Sequence, residues 1–529
     1  MMRTTILAAA LAAVLSTGAP ELRAQTLATD DPVLTEIWRQ AMYRSQIPML
    51  AQALLDSIGP RLTASPGMER AQAWAVGKLG GWGYDARTEE YGTWLGWDRG
   101  VSHVDLVAPR VRSLEGRILA WSPGTGGEPV EGEVVALPPI GRPGDFAAFL
   151  PYVQGRFVMV SFPEMSCRTD EQWKEFAQEG SFERMDQART TARDAWNASL
   201  AATGSEDPRR RDVHRALERA GALGIVTSLW PGSYGTTRVF NSYTREIPTF
   251  ELSCEDYGLV YRLAANGQSP RLRLTAEAEF LGEVPVFNVL ASIPGSELPD
   301  EYVMLSAHFD SWEGGSGATD NGTGSVLMME AARILREVYP NPKRTILIGL
   351  WSGEEQGLNG SRAFVEDHPE VVAGLQALFN QDNGTGRVVS MSASGLVDAG
   401  AHLGRWLSRV PSEVTRYIDL QFPGTPSSGG TDHASFVCAP APGFGLGALS
   451  WDYGTHTWHT HRDTFDKLVF DDLKNNAVLV ASLVYLASED PERVSREQRS
   501  VLPPARNGQP TEWPVCQPAT RASGESPRM

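Results

Sequence analysis

The residues of this chain best suited to chemistry are two histidines and several acids that stand where apolar segments end. They are His308, Asp310, Asp320, Glu354, Glu355, Asp382 and His459. Imidazole nitrogens and carboxylate oxygens are ligands that zinc binds well, and glycines near them allow the backbone to approach closely. Carboxylates crowded into one cleft repel each other unless a cation lies among them. If the fold brings these side chains together, we expect a zinc site.

Each of these residues also has a structural interpretation when it is taken alone. A single His or Asp at a strand end is usually a turn or capping residue, and Asp320 could cap the helix that follows it. The adjacent Glu354 and Glu355 could belong to a solvated loop. The functional interpretation gains weight because several independent segments end in residue types that ligate metals.

The segments that position these residues alternate between apolar strands and helices from about residue 284 onward. Strands predicted at 302–307 and 345–351 enclose a helix predicted over 324–337, and a later helix is predicted over 472–488. This alternation is typical of an α/β fold with a mostly parallel central sheet flanked by helices. Ligands bind such sheets at the carboxyl ends of the strands, which is where the candidate residues lie.

The composition divides the 529-residue chain into parts. Residues 31–112, mainly helical with a strand near 85–91, are predicted to be the N-terminal part of a catalytic domain. Residues 113–280 change to short strands among glycines and prolines, with one polar helical segment, and are predicted to be a β-rich insert domain. Residues 281–490 are predicted to form the main part of the catalytic domain. The tail, 491–529, is rich in Pro, Arg and Ser and is predicted to be loosely ordered.

Residues 1–24 have the features of a signal peptide: a basic start, a short apolar stretch and small residues near a candidate cleavage site. A retained N-terminal anchor is the alternative. No other segment reaches the roughly 20 apolar residues that a membrane-spanning helix requires. We therefore expect a secreted or periplasmic protein without a transmembrane segment after signal removal.

The four cysteines fit an oxidising compartment and allow two disulfides in three pairings. Pairing Cys167 with Cys254, and Cys438 with Cys516, would keep each bridge within one region of the chain. The net charge of −17 and the lack of a long Lys/Arg cluster argue against nucleic acid as a partner.

Four motifs around the candidate ligands resemble the signatures of the secreted co-catalytic di-zinc exopeptidases, which include bacterial zinc aminopeptidases and carboxypeptidase Q. The motifs are HFDSW (308–312), GATDNGTG (317–324), EEQGLNGS (354–361) and WHTHRDTFDK (458–467). The turn IGPRLTASP (58–66) also matches, so the resemblance covers about residues 31–487 in the expected order. The β-rich insert is similar to a protease-associated domain.

This resemblance implies two zinc ions per chain. His308 and Asp382 would bind one ion, and Glu355 and His459 would bind the second. Asp320 would bridge the two ions, and the family implies a cis peptide bond after it. Because the ligand set is carried over from the resemblance, the roles of these residues are expectations.

The resemblance also implies roles for two residues that are not ligands. Glu354 would be the general base and acid, since one of two adjacent carboxylates can touch metal while its neighbour reaches the attacking water. Asp310 would hold the ring of His308, as metal-bound imidazoles usually require.

Two alternatives stay open for the histidine ligand and for the nearby loop 427–436. His456 and His461 compete with His459, although the spacing to the DTFDK residues favours His459. Asp432 and His433 either border the substrate pocket or form a structural hydrogen-bonded pair.

The donor that would stabilise the oxyanion is also open. Some bacterial relatives carry a tyrosine where this chain has Ser428, and Tyr453 is a weak candidate for the same task.

The sequence thus predicts an exported zinc-dependent exopeptidase that acts on peptides or dipeptides. Amino-terminal or dipeptide specificity is favoured slightly over carboxy-terminal specificity, and a homodimer is compatible with the sequence. A glutaminyl cyclase of similar fold is one rival, but the complete set of five ligands argues against it. A catalytically inactive receptor or scaffold is the other, but it would be expected to lack ligands or the base.

Overall fold

A computed structural model of the protein describes residues 29–504 and 508–525. The predicted signal peptide, residues 1–24, lies outside these residues. Within them, no helix is both long and apolar enough to cross a membrane.

The described residues form one mixed sheet and a set of helices around it. The strands are β1 (Asp85–Ala108), β2 (Arg112–Leu114), β3 (Gly116–Ile118), β4 (Val130–Ala136), β5 (Arg156–Met159), β6 (Gly224–Thr227), β7 (Thr249–Leu252), β8 (Arg271–Ile293), β9 (Leu298–His308), β10 (Arg344–Trp351), β11 (Leu375–Asn380), β12 (Val388–Ser392), β13 (Asp419–Gln421) and β14 (Gly443–Ala448). The helices are α1 (Pro32–Tyr43), α2 (Ile47–Gln52), α3 (Pro66–Gly81), α4 (Pro143–Phe149), α5 (Glu171–Phe176), α6 (Ser181–Ala201), α7 (Arg211–Arg219), α8 (Cys254–Ala265), α9 (Thr323–Val338), α10 (Asn359–Asp367), α11 (Pro369–Gly374), α12 (Ala399–Leu407), α13 (Ser412–Thr415), α14 (His433–Val437) and α15 (Phe470–Glu489).

The sheet runs in the order β13-β12-β14-β11-β9-β10-β8-β4-β5-β6-β7-β3, with β1 paired to β8 and β2 to β1. Strands β10, β9, β11 and β14 are parallel to one another, whereas β8 and β12 join this group in antiparallel fashion. Every residue of β10 and β11 is buried, as expected for parallel strands covered on both faces. The predicted α/β fold with a central sheet flanked by helices is confirmed.

Helices α9 and α15 pack side by side over the centre of the sheet, and α1 covers them. The helix predicted over 324–337 is α9, and the one predicted over 472–488 is α15. Both are more apolar than surface helices because each is buried along most of its length. Their packing fixes the strands whose carboxyl ends carry the candidate ligands.

The long pair β1–β8 connects the two halves of the molecule. The strand predicted near 85–91 continues to Ala108, and its register with β8 runs from Asp85 opposite Ser292 to Ala108 opposite Arg271. Register shifts at four places bend this ribbon so that its far end enters the sheet of the insert. The predicted strand is confirmed, and its continuation to Ala108 is an addition that the sequence did not indicate.

The insert contains strands β2 to β7, and its polar helical segment folds as α5 and α6. Disulfides join Cys167 to Cys254 and Cys438 to Cys516, so the predicted pairing is confirmed.

The tail is packed where the structure describes it, in contrast to the predicted loose order. Arg521 accepts a hydrogen bond from the backbone of Thr93 and pairs with Asp367 at 2.8 Å. Trp513 donates to the carbonyl of Val437 at 3.1 Å. The disulfide of Cys516 and these contacts anchor residues whose composition alone suggested disorder.

Candidate metal centre

His308 is the last residue of β9, and its side chain is fully buried at the carboxyl edge of the sheet. Its Nε2 atom lies 3.0 Å from Oδ1 of Asp382 and 3.3 Å from Oδ1 of Asp320. Asp382 follows β11, the parallel neighbour of β9, which explains why two residues 74 positions apart meet. These three side chains form the first candidate ligand group.

His459 and Glu355 form a second group with the same aspartate. Nε2 of His459 lies 3.0 Å from Oε2 of Glu355 and 3.2 Å from Oδ2 of Asp320. Glu355 comes just after β10, whose last residue, Trp351, is in register with His308 of β9. Asp320 therefore presents one carboxylate oxygen to each imidazole.

The spacing of these atoms fits two metal ions with a shared ligand. Ligand atoms about 2.0 to 2.2 Å from a tetrahedral zinc ion lie roughly 3.3 Å from one another. Within each group the ligand atoms lie no more than 4.8 Å apart. Each imidazole nitrogen faces two carboxylates at once, yet it carries at most one proton to donate. Cations between the groups would satisfy all of these acceptors.

The charges in the centre shift the pKa values of the two histidines in the same direction. Burial alone would lower the pKa of His308, but the nearby aspartates, Asp382 foremost, hold it well above its ordinary value. Burial also acts against His459, and Glu355 with Asp320 raises its pKa to about 9. For Asp320, burial acts upward, but the two imidazoles bring its pKa well below the usual range. The centre is thus strongly polarised toward holding positive charge.

Glu354 lies beside the ligand groups. Burial, with the charges of Asp382 and Glu355, raises its pKa well above the ordinary value in spite of His308. A carboxyl group with a raised pKa can take up and return a proton near neutral pH.

Asp310 holds two parts of the centre in place. Its carbonyl oxygen lies 3.0 Å from Nδ1 of His308, closer than its carboxylate at 3.6 Å. The carboxylate instead accepts the backbone N–H groups of Glu354 and Glu355 at 3.2 and 3.3 Å. The structure therefore places the predicted ring contact on the main chain and gives the side chain a second task, orienting the Glu354–Glu355 turn.

Comparisons with known proteins identify the family of this arrangement. Residues 288–484 match the description "Peptidase family M28". Carboxypeptidase Q of Rattus norvegicus is 26% identical over 449 residues, 84% of this chain and 85% of that protein. An M28 peptidase precursor from Shewanella amazonensis has a similar fold, with a TM-score of 0.65 and 22% identity over 89% of this chain and 98% of the other. A zinc aminopeptidase from Bacillus subtilis has a TM-score of 0.53 and 16% identity over 86% and 97%.

Residues 288–484 are thus similar to peptidase family M28. The resemblance stated from the sequence motifs is thereby confirmed. The family match and the relatives together support a zinc metalloexopeptidase, so the prediction of an enzyme of this class is confirmed too. The family match implies peptide substrates.

The three competing histidines separate clearly in the peptidase structure. His461 contacts the backbone N–H of Thr237 through Nδ1 at 3.1 Å and faces Glu115 with its other nitrogen. His456 is exposed and contacts its neighbour Thr455 at 2.8 Å. His459 is thus the histidine of this segment that meets Asp320 and Glu355.

The loop that carries Asp432 and His433 does not contain the hydrogen-bonded pair that was one of its two interpretations. No hydrogen bond joins the two side chains, and Asp432 is fully buried among the described residues. Burial raises the pKa of Asp432 to about 7, although His308 acts against this.

Three residues support the centre in ways that the sequence did not predict. Asp463 accepts hydrogen bonds from the backbone of Thr319 and Asp320 at 2.8 and 3.0 Å, which fixes the turn that carries the shared aspartate. Arg61 is fully buried and donates to the carbonyl of Phe309 at 2.8 Å. Trp312 donates to Oε2 of Glu355 at 2.7 Å. All three lie inside motifs already noted, which was the available signal.

A cavity of about 500 Å³, here called the base-side cavity, opens onto the centre. Its lining includes Asp320, Glu354, Asp382 and Tyr453. Ser428 instead lines a separate cavity beside the disulfide of Cys438. Tyr453 is therefore closer to the reaction site than the residue that stands in the relatives' tyrosine position.

Proposed function

We propose that this M28 peptidase is an exported exopeptidase that binds two zinc ions and hydrolyses terminal bonds of peptides or dipeptides. The observation that carries the proposal is the position of Asp320, which offers one oxygen to each of two ligand groups. His308 and Asp382 would hold one ion, and Glu355 and His459 the other. Zinc bound in such a site supplies Lewis acidity and makes water a stronger acid at neutral pH.

Glu354 is the residue to which we assign the proton transfers. Its carboxyl group lines the base-side cavity, and its raised pKa suits a group that takes a proton from the attacking water and delivers it to the leaving amine. The hydrogen bonds that the backbone N–H groups of Glu354 and Glu355 donate to Asp310 support this role, because they fix the main chain from which both side chains extend. Positioning of this kind matters since small displacements of a catalytic group are costly.

The Tyr453 hydroxyl is the group that we assign to the developing negative charge on the scissile carbonyl oxygen. Burial raises the pKa of Tyr453 well above its ordinary value, so the hydroxyl stays protonated and can donate. A preorganised donor at this place would stabilise the transition state more than the substrate.

The cellular setting follows from the same set of features. Two disulfides are consistent with an oxidising compartment, which supports a secreted or periplasmic enzyme. We retain a homodimer as a proposal for its assembly.

The direct test is the Glu354→Gln variant, which keeps the shape of the side chain and removes the base. We expect zinc content to stay at two ions per chain while kcat for unlabelled dipeptides falls by about 100-fold or more. Glu297→Gln is the matched control, since this glutamate is exposed and lies away from the centre. Free amino acids in the reaction are measured by chromatography.

Three outcomes would overturn the proposal. Hydrolysis by Glu354→Gln at a rate near that of Glu297→Gln would remove the assigned base. Absence of hydrolysis by the zinc-loaded wild type would favour a scaffold. Cyclisation of an amino-terminal glutamine without peptide hydrolysis would favour a glutaminyl cyclase.

A further inference from the structure

A second and larger cavity, here called the insert-side cavity, meets the metal centre from the side of the β-rich insert. It has a volume of about 910 Å³, and its lining includes both Glu355 and His459. The opposite wall comes from the insert, through residues of α6, α7 and the segment 227–249. Glu355 and His459 thus stand between this cavity and the base-side cavity, so a substrate held at the centre can extend into either.

Arg238 lines the insert-side cavity and is connected to the candidate ligand His459 through the ring of Trp458. Its guanidinium packs on the ring of Trp458, 4.6 Å from the centroid. The same ring stacks on His459 with 3.9 Å between centroids. The guanidinium therefore lies within the span of about two extended residues from a substrate held at His459.

The guanidinium of Arg238 forms no direct ion pair within the described part of the chain. Its guanidinium donates to the carbonyl oxygens of Gly454 at 3.0 Å and Trp458 at 3.5 Å, and no carboxylate oxygen lies within 4.0 Å. The charge of Glu251 reaches it from farther away, but that carboxylate is engaged by the hydroxyl of Thr227 at 2.7 Å and by the backbone of Leu229. A guanidinium that is held in place by carbonyls still has donors for an added anion.

The other charged residues of the insert-side cavity also favour binding of an anion. Arg209 and Arg210 line it too, and neither guanidinium has a carboxylate oxygen within 4.0 Å among the described residues. Arg193 is neutralised by Glu164 at 2.6 Å. The lining contains four arginines and two glutamates, Glu164 and Glu355, in a chain with net charge −17, and this local excess of positive charge attracts anions.

The walls of the cavity are aromatic. Five of the 15 tryptophans in the chain line it, Trp458 among them. Apolar walls exclude water and so strengthen an ion pair formed between them. They also suit a bulky side chain of the same ligand.

We propose that the insert-side cavity is a substrate subsite in which Arg238 binds a carboxylate group of the peptide, with aromatic walls around the rest of that residue. This inference rests on the proposed function, because it takes the peptide to be held at the metal centre. The carboxylate can be the free carboxyl terminus or an acidic side chain, and both would make charge-assisted bonds to the guanidinium. The insert would thereby select substrates for a reaction carried out by the catalytic domain.

The test compares matched peptide pairs that differ only in one carboxylate. The pairs are Ala-Phe with its amide, Glu-Phe-amide with Gln-Phe-amide, and Ala-Glu-amide with Ala-Gln-amide. For each peptide, kcat/KM is measured with zinc-loaded wild type, Arg238→Met and Arg238→Lys. Arg219→Met is the matched control, because Arg219 is an exposed residue at the end of α7 on the same insert.

We expect the wild type to prefer the carboxylate member of at least one pair by about 10- to 100-fold, the usual value of a bond to a charged group. Arg238→Met should remove that preference while hydrolysis of the uncharged member stays within a few-fold. Arg238→Lys should keep part of the preference, and Arg219→Met all of it. The pair that responds identifies whether the carboxylate is terminal or in a side chain.

A different pattern would overturn the inference. If Arg238→Met slows both members of every pair equally, or no pair shows a preference, Arg238 only supports Trp458 and binds no carboxylate. Titration of the same peptides into Glu354→Gln protein, with and without Arg238→Met, measures binding without turnover. Binding that depends on the carboxylate, without hydrolysis of any peptide, would support the subsite and refute the proposed function. Hydrolysis of peptides without carboxylate-dependent binding would support the proposed function and refute the subsite.

Discussion

Asp463 makes a specific prediction, because its carboxylate fixes the turn that carries Asp320. Its oxygens accept three hydrogen bonds, from the backbone and hydroxyl of Thr319 at 2.8 Å each and from the backbone of Asp320 at 3.0 Å. The site is almost fully buried, with 2% of Asp463 exposed. Replacement by alanine leaves those donors without their acceptor.

The cost can be worked out from these contacts. The hydroxyl of Thr319 has a second neighbour in Thr457 at 2.8 Å, so it can pair again. The backbone N–H groups of Thr319 and Asp320 donate to Asp463, and each buried donor that is left unpaired costs about 1 to 3 kcal/mol. We expect Asp463→Ala to lower the free energy of unfolding by about 4 kcal/mol. Asp463→Asn, which keeps one acceptor oxygen, should lose about half of that.

The same change should weaken metal binding, since Asp320 would no longer be held in one position. Loss of a group that orients a metal ligand typically costs about 10- to 100-fold in affinity. Zinc affinity is measured by competition with a chromophoric chelator, and stability by calorimetry of the metal-free protein. Asp466→Ala is the matched control, as Asp466 is exposed and three residues farther along. A folded Asp463→Ala protein with the zinc affinity of Asp466→Ala would refute this reasoning.

Two further predictions concern protons. Carboxylates raise the pKa of His459 to about 9 and that of His308 well above its ordinary value, so both imidazoles are protonated at pH 7 without metal. Zinc binds only neutral imidazole, so these protons must leave when the metal binds. Calorimetry of zinc binding in two buffers should detect about two protons released per chain. Release near zero at pH 7 would contradict this. In the insert, burial raises the pKa of Glu251 from 4.5 to about 7, so the folded state holds this proton more tightly than the unfolded state. The contribution of this proton to the free energy of unfolding is complete below pH 4.5 and is lost as the pH rises toward 7. The melting temperature of the wild type should therefore fall between pH 5 and 7, and Glu251→Gln should make that fall smaller. An unchanged dependence of melting temperature on pH in the variant would contradict this.

The sequence predicted which residues meet in the candidate metal centre because they stand at strand ends, where parallel strands place them at one edge. His308 and Asp382 meet because β9 and β11 are neighbours, a relation that the α/β alternation already suggests. The choice of His459 over His461 depended on a motif, and the structure gives the reason, which is that His461 faces Thr237.

Other features depend on contacts that no local pattern encodes. Arg238 and Trp458 are 220 residues apart and meet only because the insert folds back onto the catalytic domain. The continuation of β1 beyond residue 91 was not predicted, because its burial pattern is irregular across the register shifts with β8. The packing of the tail was not predicted because its composition suggested disorder. The disulfide of Cys516 and the contact of Trp513 with Val437 order it, and composition does not reveal such contacts.

The most direct measurement is an anomalous difference map, recorded at the zinc absorption edge, from crystals grown with zinc. We predict two peaks about 3.5 to 4 Å apart, one beside His308 and Asp382 and the other beside Glu355 and His459, with Asp320 touching both. Asp320→Ala should lose both peaks together. A single peak, or two peaks that share no contact with Asp320, would contradict the account of a bridged pair of ions.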